Sequence, residues 1–198
     1  MNKPLLGQKI AVLVANGFSE KDLTLTQKAM MHTGANMRIV GMDHGLVNSW
    51  NGEGWGLNFA SDQALSRALS ADFDMLIVPG GQRSIEKLEL TAHTRRFLSG
   101  FVETDKPVVL FEEALGLLLF AECADGLTVA GGDGLRDRAE GQGVAWSEAP
   151  YVISRNVMSG VSVEETREEF TAAVAEFLIH YGQDVDNVSG GMLEPVAA

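Results

Sequence analysis

The stretch Asp74-Met75-Leu76-Ile77-Val78-Pro79-Gly80-Gly81 decides the fold. Its apolar residues follow one another without the alternation of a half-exposed strand, which marks a strand buried on both faces. A proline and two glycines end it abruptly. The same design appears on either side. Lys9-Ile10-Ala11-Val12-Leu13-Val14-Ala15 runs into Asn16-Gly17, and Lys106-Pro107-Val108-Val109-Leu110-Phe111 runs into Glu112-Glu113. Buried strands separated by helical pattern imply a flavodoxin-like α/β fold, a doubly wound, mainly parallel sheet with helices on both faces. Such sheets bind ligands outside the carboxyl ends of their strands. If the three strands are neighbours, Asn16-Gly17, Pro79-Gly80-Gly81 and Glu112-Glu113 converge on one pocket, the candidate site.

Ser19, followed by Glu20 and Asp22, opens a helix expected to reach about His32 and to stop at Gly34. Met37 to Met42 reads as a second strand, and Leu46 to Phe59 as a small hairpin around Asn51-Gly52. Trp50 and Trp55 flank that turn, where cross-strand packing and a place on a pocket rim or interface account for them equally well. Asp62 to Leu69 and Thr91 to Val102 are expected helices. Ala114 to Ala121 is a helix so apolar that other elements must enclose it. The glycine-rich stretch from Gly126 to Gly143 holds a short strand, Leu127 to Ala130, and a loop or short helix; Tyr151 to Ser154 is a late strand. Ser162 and Glu165 form a capping box before a final helix. Its apolar face is Phe170, Val174, Phe177, Leu178 and Tyr181, and Gly182 is its expected stop. Beyond about residue 183 the pattern weakens, as for a frayed tail or one packed at an interface. No linker or repeat divides the 198 residues, so one domain over 1–198 is expected.

Lysine and arginine number 15 against 27 aspartates and glutamates, a formal charge of −12. Such a surface repels phosphate backbones and anionic headgroups, so neither nucleic acid nor a membrane is an expected partner. The one cysteine, Cys123, permits no intramolecular disulfide, and the N-terminus lacks a signal-peptide pattern, so a cytoplasmic location is expected. Cys123 falls near the end of the apolar helix and reads as a small hydrophobe. His32, His44, His93 and His180 are scattered without ligand-like spacing, so no metal and no cofactor are expected. Gly131-Gly132-Asp133-Gly134 lacks the spacing of a phosphate loop and reads as an ordinary loop.

The segments KIAVLVANGFSEKDLT (Lys9–Thr24), DFDMLIVPGG (Asp72–Gly81) and DKPVVLF (Asp105–Phe111) resemble the landmarks of the ThiJ/PfpI superfamily, a class I glutamine amidotransferase-like group. It includes PfpI-type intracellular proteases, glyoxalases and deglycases. The resemblance spans roughly Lys9 to Tyr181 and implies a homodimer. It also implies a nucleophilic cysteine on a sharp strand-to-helix turn, followed by a histidine. Aligned on Lys106-Pro107-Val108, this chain has Glu112 in the cysteine's place and Glu113 in the histidine's. Asp22 matches the acid that contacts the cysteine. Gly81 and the Glu113 backbone amide, with Gly80 beside them, match an oxyanion hole.

A carboxylate does not replace a thiolate as a nucleophile in acyl transfer, so the superfamily's cysteine chemistry does not carry over. Three readings stand open. In the first the chain keeps the fold and pocket as a noncatalytic or small-ligand-binding relative. In the second Glu112 and Asp22 form a carboxyl pair doing general acid–base work on a small carbonyl metabolite, one of them holding its proton to raised pH. In the third the role is structural or partner-binding and the pocket is incidental.

Overall fold

A computed structural model describes residues 3–187, with side chains through residue 182. The strands are β1 (Lys9–Leu13), β2 (Phe18–Ser19), β3 (Asn36–Gly41), β4 (Gly45–Trp50), β5 (Trp55–Ser61), β6 (Gln63–Ala64), β7 (Met75–Val78), β8 (Val108–Phe111), β9 (Thr128–Val129), β10 (Ala145–Trp146), β11 (Tyr151–Ser154) and β12 (Val157–Gly160). The helices are α1 (Glu20–Met30), α2 (Gln82–Leu88), α3 (Ala92–Val102), α4 (Leu115–Phe120), α5 (Arg136–Gly141) and α6 (Arg167–Asn187). Seven strands make one sheet in the order β11-β12-β8-β7-β1-β3-β6. Every pairing in it is parallel except β11 with β12. Beside it stand the three-stranded β2-β4-β5 and the pair β10-β9.

The continuous apolar runs are explained by two cores, one on each face of the sheet. Met75 and Ile77 of β7 and Val109 and Phe111 of β8 pack with Met30 of α1 and with Phe170, Val174 and Leu178 of α6. The alternate residues, Leu76, Val78, Val108 and Leu110, pack with Phe97, Leu98 and Phe101 of α3 and Leu117 and Leu118 of α4. Period-two alternation therefore sorts one strand between two interiors, and no position is left for a polar residue. From β1 the chain crosses to β3 on one side, whereas from β7 it crosses to β8 on the other. The switch opens a crevice at the carboxyl ends of β1 and β7, where Asn16-Gly17 and Pro79-Gly80-Gly81 lie.

Four local expectations are corrected. Asp62 to Leu69 is not a helix: it contains β6 and a turn, because the Asp62 carboxylate accepts from the Ile39 amide (2.8 Å) and Arg38 (3.0 Å) and ties the segment to β3. Helix α2 directly follows the Pro79-Gly80-Gly81 turn where only a turn was expected. Ser162 does not cap the last helix, which begins at Arg167. Gly182 does not stop it either: α6 continues to Asn187, and the glycine sits where a Cβ would run into the Leu5 side chain. The expected tail beyond residue 187 lies outside the described residues.

Gly81 adopts φ +111°, and a Cβ on it would stand 2.6 Å from the Gly17 carbonyl oxygen. Both the backbone and the neighbour resist a side chain there. Gly81→Ala is expected to lower stability by roughly 1–3 kcal/mol in urea unfolding. Gly54→Ala, a site with nothing within 4 Å, serves as the control and should change little. Equal effects would overturn this account of the turn.

Candidate functional site

Asp22 is the centre of the site. It lies in the first turn of α1, whose N-cap Ser19 accepts from the Asp22 amide at 3.3 Å. The side chain is 2% exposed. Its Oδ2 accepts from the Gly80 amide at 3.0 Å, and its Oδ1 accepts from the Ser162 hydroxyl at 2.6 Å. Arg167 Nε lies 3.4 Å from the same Oδ1 without making a hydrogen bond. Three parts of the chain thus meet on one carboxylate: the start of α1, the end of β7 and the segment between β12 and α6.

Glu112 and Glu113 leave the end of β8. Glu112 has φ +48°, a left-handed conformation that strains a residue with a side chain. The strain comes with a sharp strand-to-helix turn, so the side chain of Glu112 lines the cleft rather than the core. The glycine-rich loop read as ordinary packs against this elbow. A Cβ at Gly131 would lie 3.2 Å from the Glu112 carbonyl oxygen and 2.9 Å from Leu115 Cδ2. Glu113 turns its carboxylate back, and its Oε2 accepts from the Gly81 amide at 3.0 Å. Gly80 makes the arrangement possible, since a Cβ there would crowd Glu113 Oε2 (2.9 Å) and Asp22 Oδ2 (3.1 Å). An incoming carbonyl oxygen would have to displace the Glu113 carboxylate before the Gly81 amide could serve it.

The cleft above these groups has a volume of about 410 Å³. Asp22, Gly81, Glu112 and Glu113 line it, whereas Gly80 lies behind them and Asn16 lines a separate hollow with Met42 and His44. The cleft is also lined by residues not expected there, Lys21, Ser162, Glu164 and Arg167 and the hairpin-tip residues Asn51 and Gly52, together with Trp50, for which a pocket rim was one of two open readings. Glu164 holds Lys21 (2.8 Å) and Arg167 (2.7 Å) together at its mouth. Cys123 is elsewhere, packed beside the α3–α4 core with Ser99 Oγ 3.0 Å from its sulfur.

Burial pushes the Glu112 carboxyl up to about 7, with repulsion from Glu113 and then Asp22 adding to it. Arg167 and the Ser162 backbone amide oppose the shift. Burial also raises Asp22, held back by the Ser162 hydroxyl, the Gly80 amide, Ser19 and Arg167. Glu112 and Asp22 share no hydrogen bond. Their coupling is electrostatic, and Glu113 is the stronger neighbour. Near neutrality Glu112 exchanges a proton readily, so it can donate or accept a hydrogen bond toward a ligand.

Residues 8–176 match the DJ-1/PfpI family, and the chain belongs to it. The deglycase PH1704 of Pyrococcus horikoshii is 23% identical over 151 residues, covering 76% of this chain and 88% of that protein. YraA of Bacillus subtilis, whose name carries a provisional cysteine-protease label, is 28% identical over 155 residues, covering 78% and 89%. Among solved structures, a two-domain protein from Anabaena variabilis with DJ-1/ThiJ/PfpI-like and ferritin-like domains superposes with TM-score 0.78 at 17% identity, covering 89% of this chain and 49% of that one. DJ-1 of Schizosaccharomyces pombe gives TM-score 0.72 at 16% identity, covering 93% and 100%. These two likenesses are of fold.

The raised Glu112 carboxyl has a thermodynamic signature. Between pH 4.5 and about 7 the folded chain keeps a proton that the unfolded chain has released, so stability falls as pH rises through that window. Glu112→Gln removes the penalty and keeps the shape. Its stability should equal the wild type's near pH 4.5 and exceed it by about 1 kcal/mol at pH 8, a figure already reduced for the carboxyl's partial exposure. Urea titrations at the two pH values measure this, and a pH-independent difference would overturn it. Separately, Ser162→Ala strips a donor from buried Asp22 and should lower stability by about 1–3 kcal/mol at pH 7.

Proposed function

We propose that this DJ-1/PfpI family member binds a small polar molecule in the cleft lined by Asp22, Gly81, Glu112 and Glu113, and performs no cysteine chemistry. The observation carrying this reading is the hydrogen bond from the Gly81 amide to Glu113 Oε2. It fills the position an acyl-transfer enzyme keeps open for a developing oxyanion. The residue on the elbow is a carboxyl, a poor nucleophile for carbonyl carbon, with no imidazole beside it. What remains is a cleft with a polar floor, able to hold a ligand by hydrogen bonds.

A second reading is favoured by one observation, the Glu112 carboxyl at about 7. A carboxyl that titrates near working pH suits general acid–base catalysis, here on a small carbonyl metabolite with Asp22 fixing the local charge. The two readings separate on turnover. Binding of small carbonyl compounds without their consumption supports the first. Consumption that is lost in Glu112→Ala and retained in Glu113→Ala supports the second and displaces the first. Glu112→Cys alone is expected to restore neither peptide nor methylglyoxal turnover, because position 113 supplies no imidazole; appreciable turnover in that variant would sink the explanation.

A cytoplasmic homodimer is part of the same proposal. No helix among the described residues is long and apolar enough to cross a membrane. Leu46, Trp55, Leu57 and Leu90 are exposed apolar side chains, and Trp55 and Leu90 share one surface hollow with Arg83 and Lys87. Burial of such a surface favours association. Sedimentation equilibrium is expected to give a dimer that Leu90→Glu weakens, and a wild-type monomer would remove this part of the proposal.

A further inference from the structure

We infer that Trp50 is the specificity-determining wall of the cleft, selecting ligands with a flat or apolar body beside their polar group, and that Glu20 is the positioning residue holding it there. The inference deepens the binding reading above and rests on it. It starts from an irregularity in the hairpin. Asn48 pairs with Asn58, but Trp50 pairs with Trp55, so Gly56 and Leu57 stand against Ser49 alone. A bulge of this kind bends the ribbon and re-aims the next side chain. Here the next side chain is Trp50, which lines the cleft with Asn51 and Gly52.

Glu20 fills the bulge. Its Oε2 accepts from the Ser49 hydroxyl at 2.5 Å and from the Leu57 amide at 2.6 Å. Gly56 leaves the necessary room, since a Cβ there would run into Glu20 Oε2. The two hydrogen bonds hold the Glu20 carboxyl below its usual range, so it stays ionised and its bonds stay charge-assisted. Other contacts fix the same strand. The Gly17 amide donates to the Asn48 carbonyl (2.8 Å), the Asn48 amide donates to Asn16 Oδ1 (2.9 Å), and the Arg83 guanidinium lies 4.4 Å from the Trp50 ring centroid. Trp55 meets Trp50 edge-on at 5.7 Å. The indole is therefore set before a ligand arrives, and a pre-set aromatic wall adds affinity without an ordering penalty. Cross-strand packing alone requires neither a bulge nor a carboxylate filling it.

Two probes with the same polar group, acetamide and benzamide, test this by NMR chemical-shift titration of the full chain. Benzamide should bind roughly tenfold tighter than acetamide to the wild type. Trp50→Ala and Trp50→Leu should abolish that preference, and Trp50→Phe should keep most of it. Glu20→Ala should shrink the preference with acetamide affinity unchanged, and Glu20→Gln, which retains a carbonyl acceptor, should recover much of it. A preference unaffected by Trp50→Leu overturns the role of Trp50 and leaves the binding reading standing. A full preference in Glu20→Ala overturns the role of Glu20. Saturable binding of neither probe overturns the binding reading and this inference together.

Discussion

The Asp22 carboxylate, gripped between the Gly80 amide and the Ser162 hydroxyl, is the contact on which the rest of the site depends. A carboxylate almost wholly removed from water is tolerable only when its lone pairs are engaged. Its partners come from the end of a central strand and from the approach to the last helix, so meeting the demand fixes how those elements sit over α1. The floor of the cleft inherits that placement. Arg167 is brought close by the segment carrying Ser162, and Glu113 shares the narrow space that Gly80 leaves open.

Around that anchor the site concentrates acid. Three carboxyl groups crowd the floor, and Glu112 holds its proton first because it is buried and then because Glu113 and Asp22 repel its charge more than Arg167 offsets. Strain at its backbone and burial at its side chain both oppose folding. Stability has been given up at one elbow, and local consistency breaks there as it does at functional positions in folded proteins generally.

Much of this was legible in the chain. Strands buried on both faces announce themselves as unbroken apolar runs, so β1, β7 and β8 could be read directly, and so could the acids and glycines at their ends. Ser19 as a helix cap was equally plain, because a cap is settled within a single turn. Other parts depend on distant partners. Helix α2 starts at Gly81 without a side-chain cap, and its polar Gln82-Arg83-Ser84 opening carries no periodic signal. Strand β12 is four residues mixing apolar and small side chains, and only its place beside β8 makes it a strand. Ser162 has the local grammar of a cap, but a buried carboxylate elsewhere outbids the helix for its hydroxyl. Trp50 faces the cleft because of a bulge, which residue types alone do not reveal.

The separation of Asp22 and Ser162 along the chain, 140 residues, has a consequence for how the protein is made. Synthesis proceeds from the N-terminus, and β1, α1, β7 and β8 leave the ribosome well before the segment that completes the site. Until then Asp22 lacks its hydroxyl partner, and the sheet face later covered by α6 is bare. The cleft is therefore completed only after the elements that form its floor have been made. Until α6 docks, a nascent chain carries an open apolar face of the kind that favours aggregation.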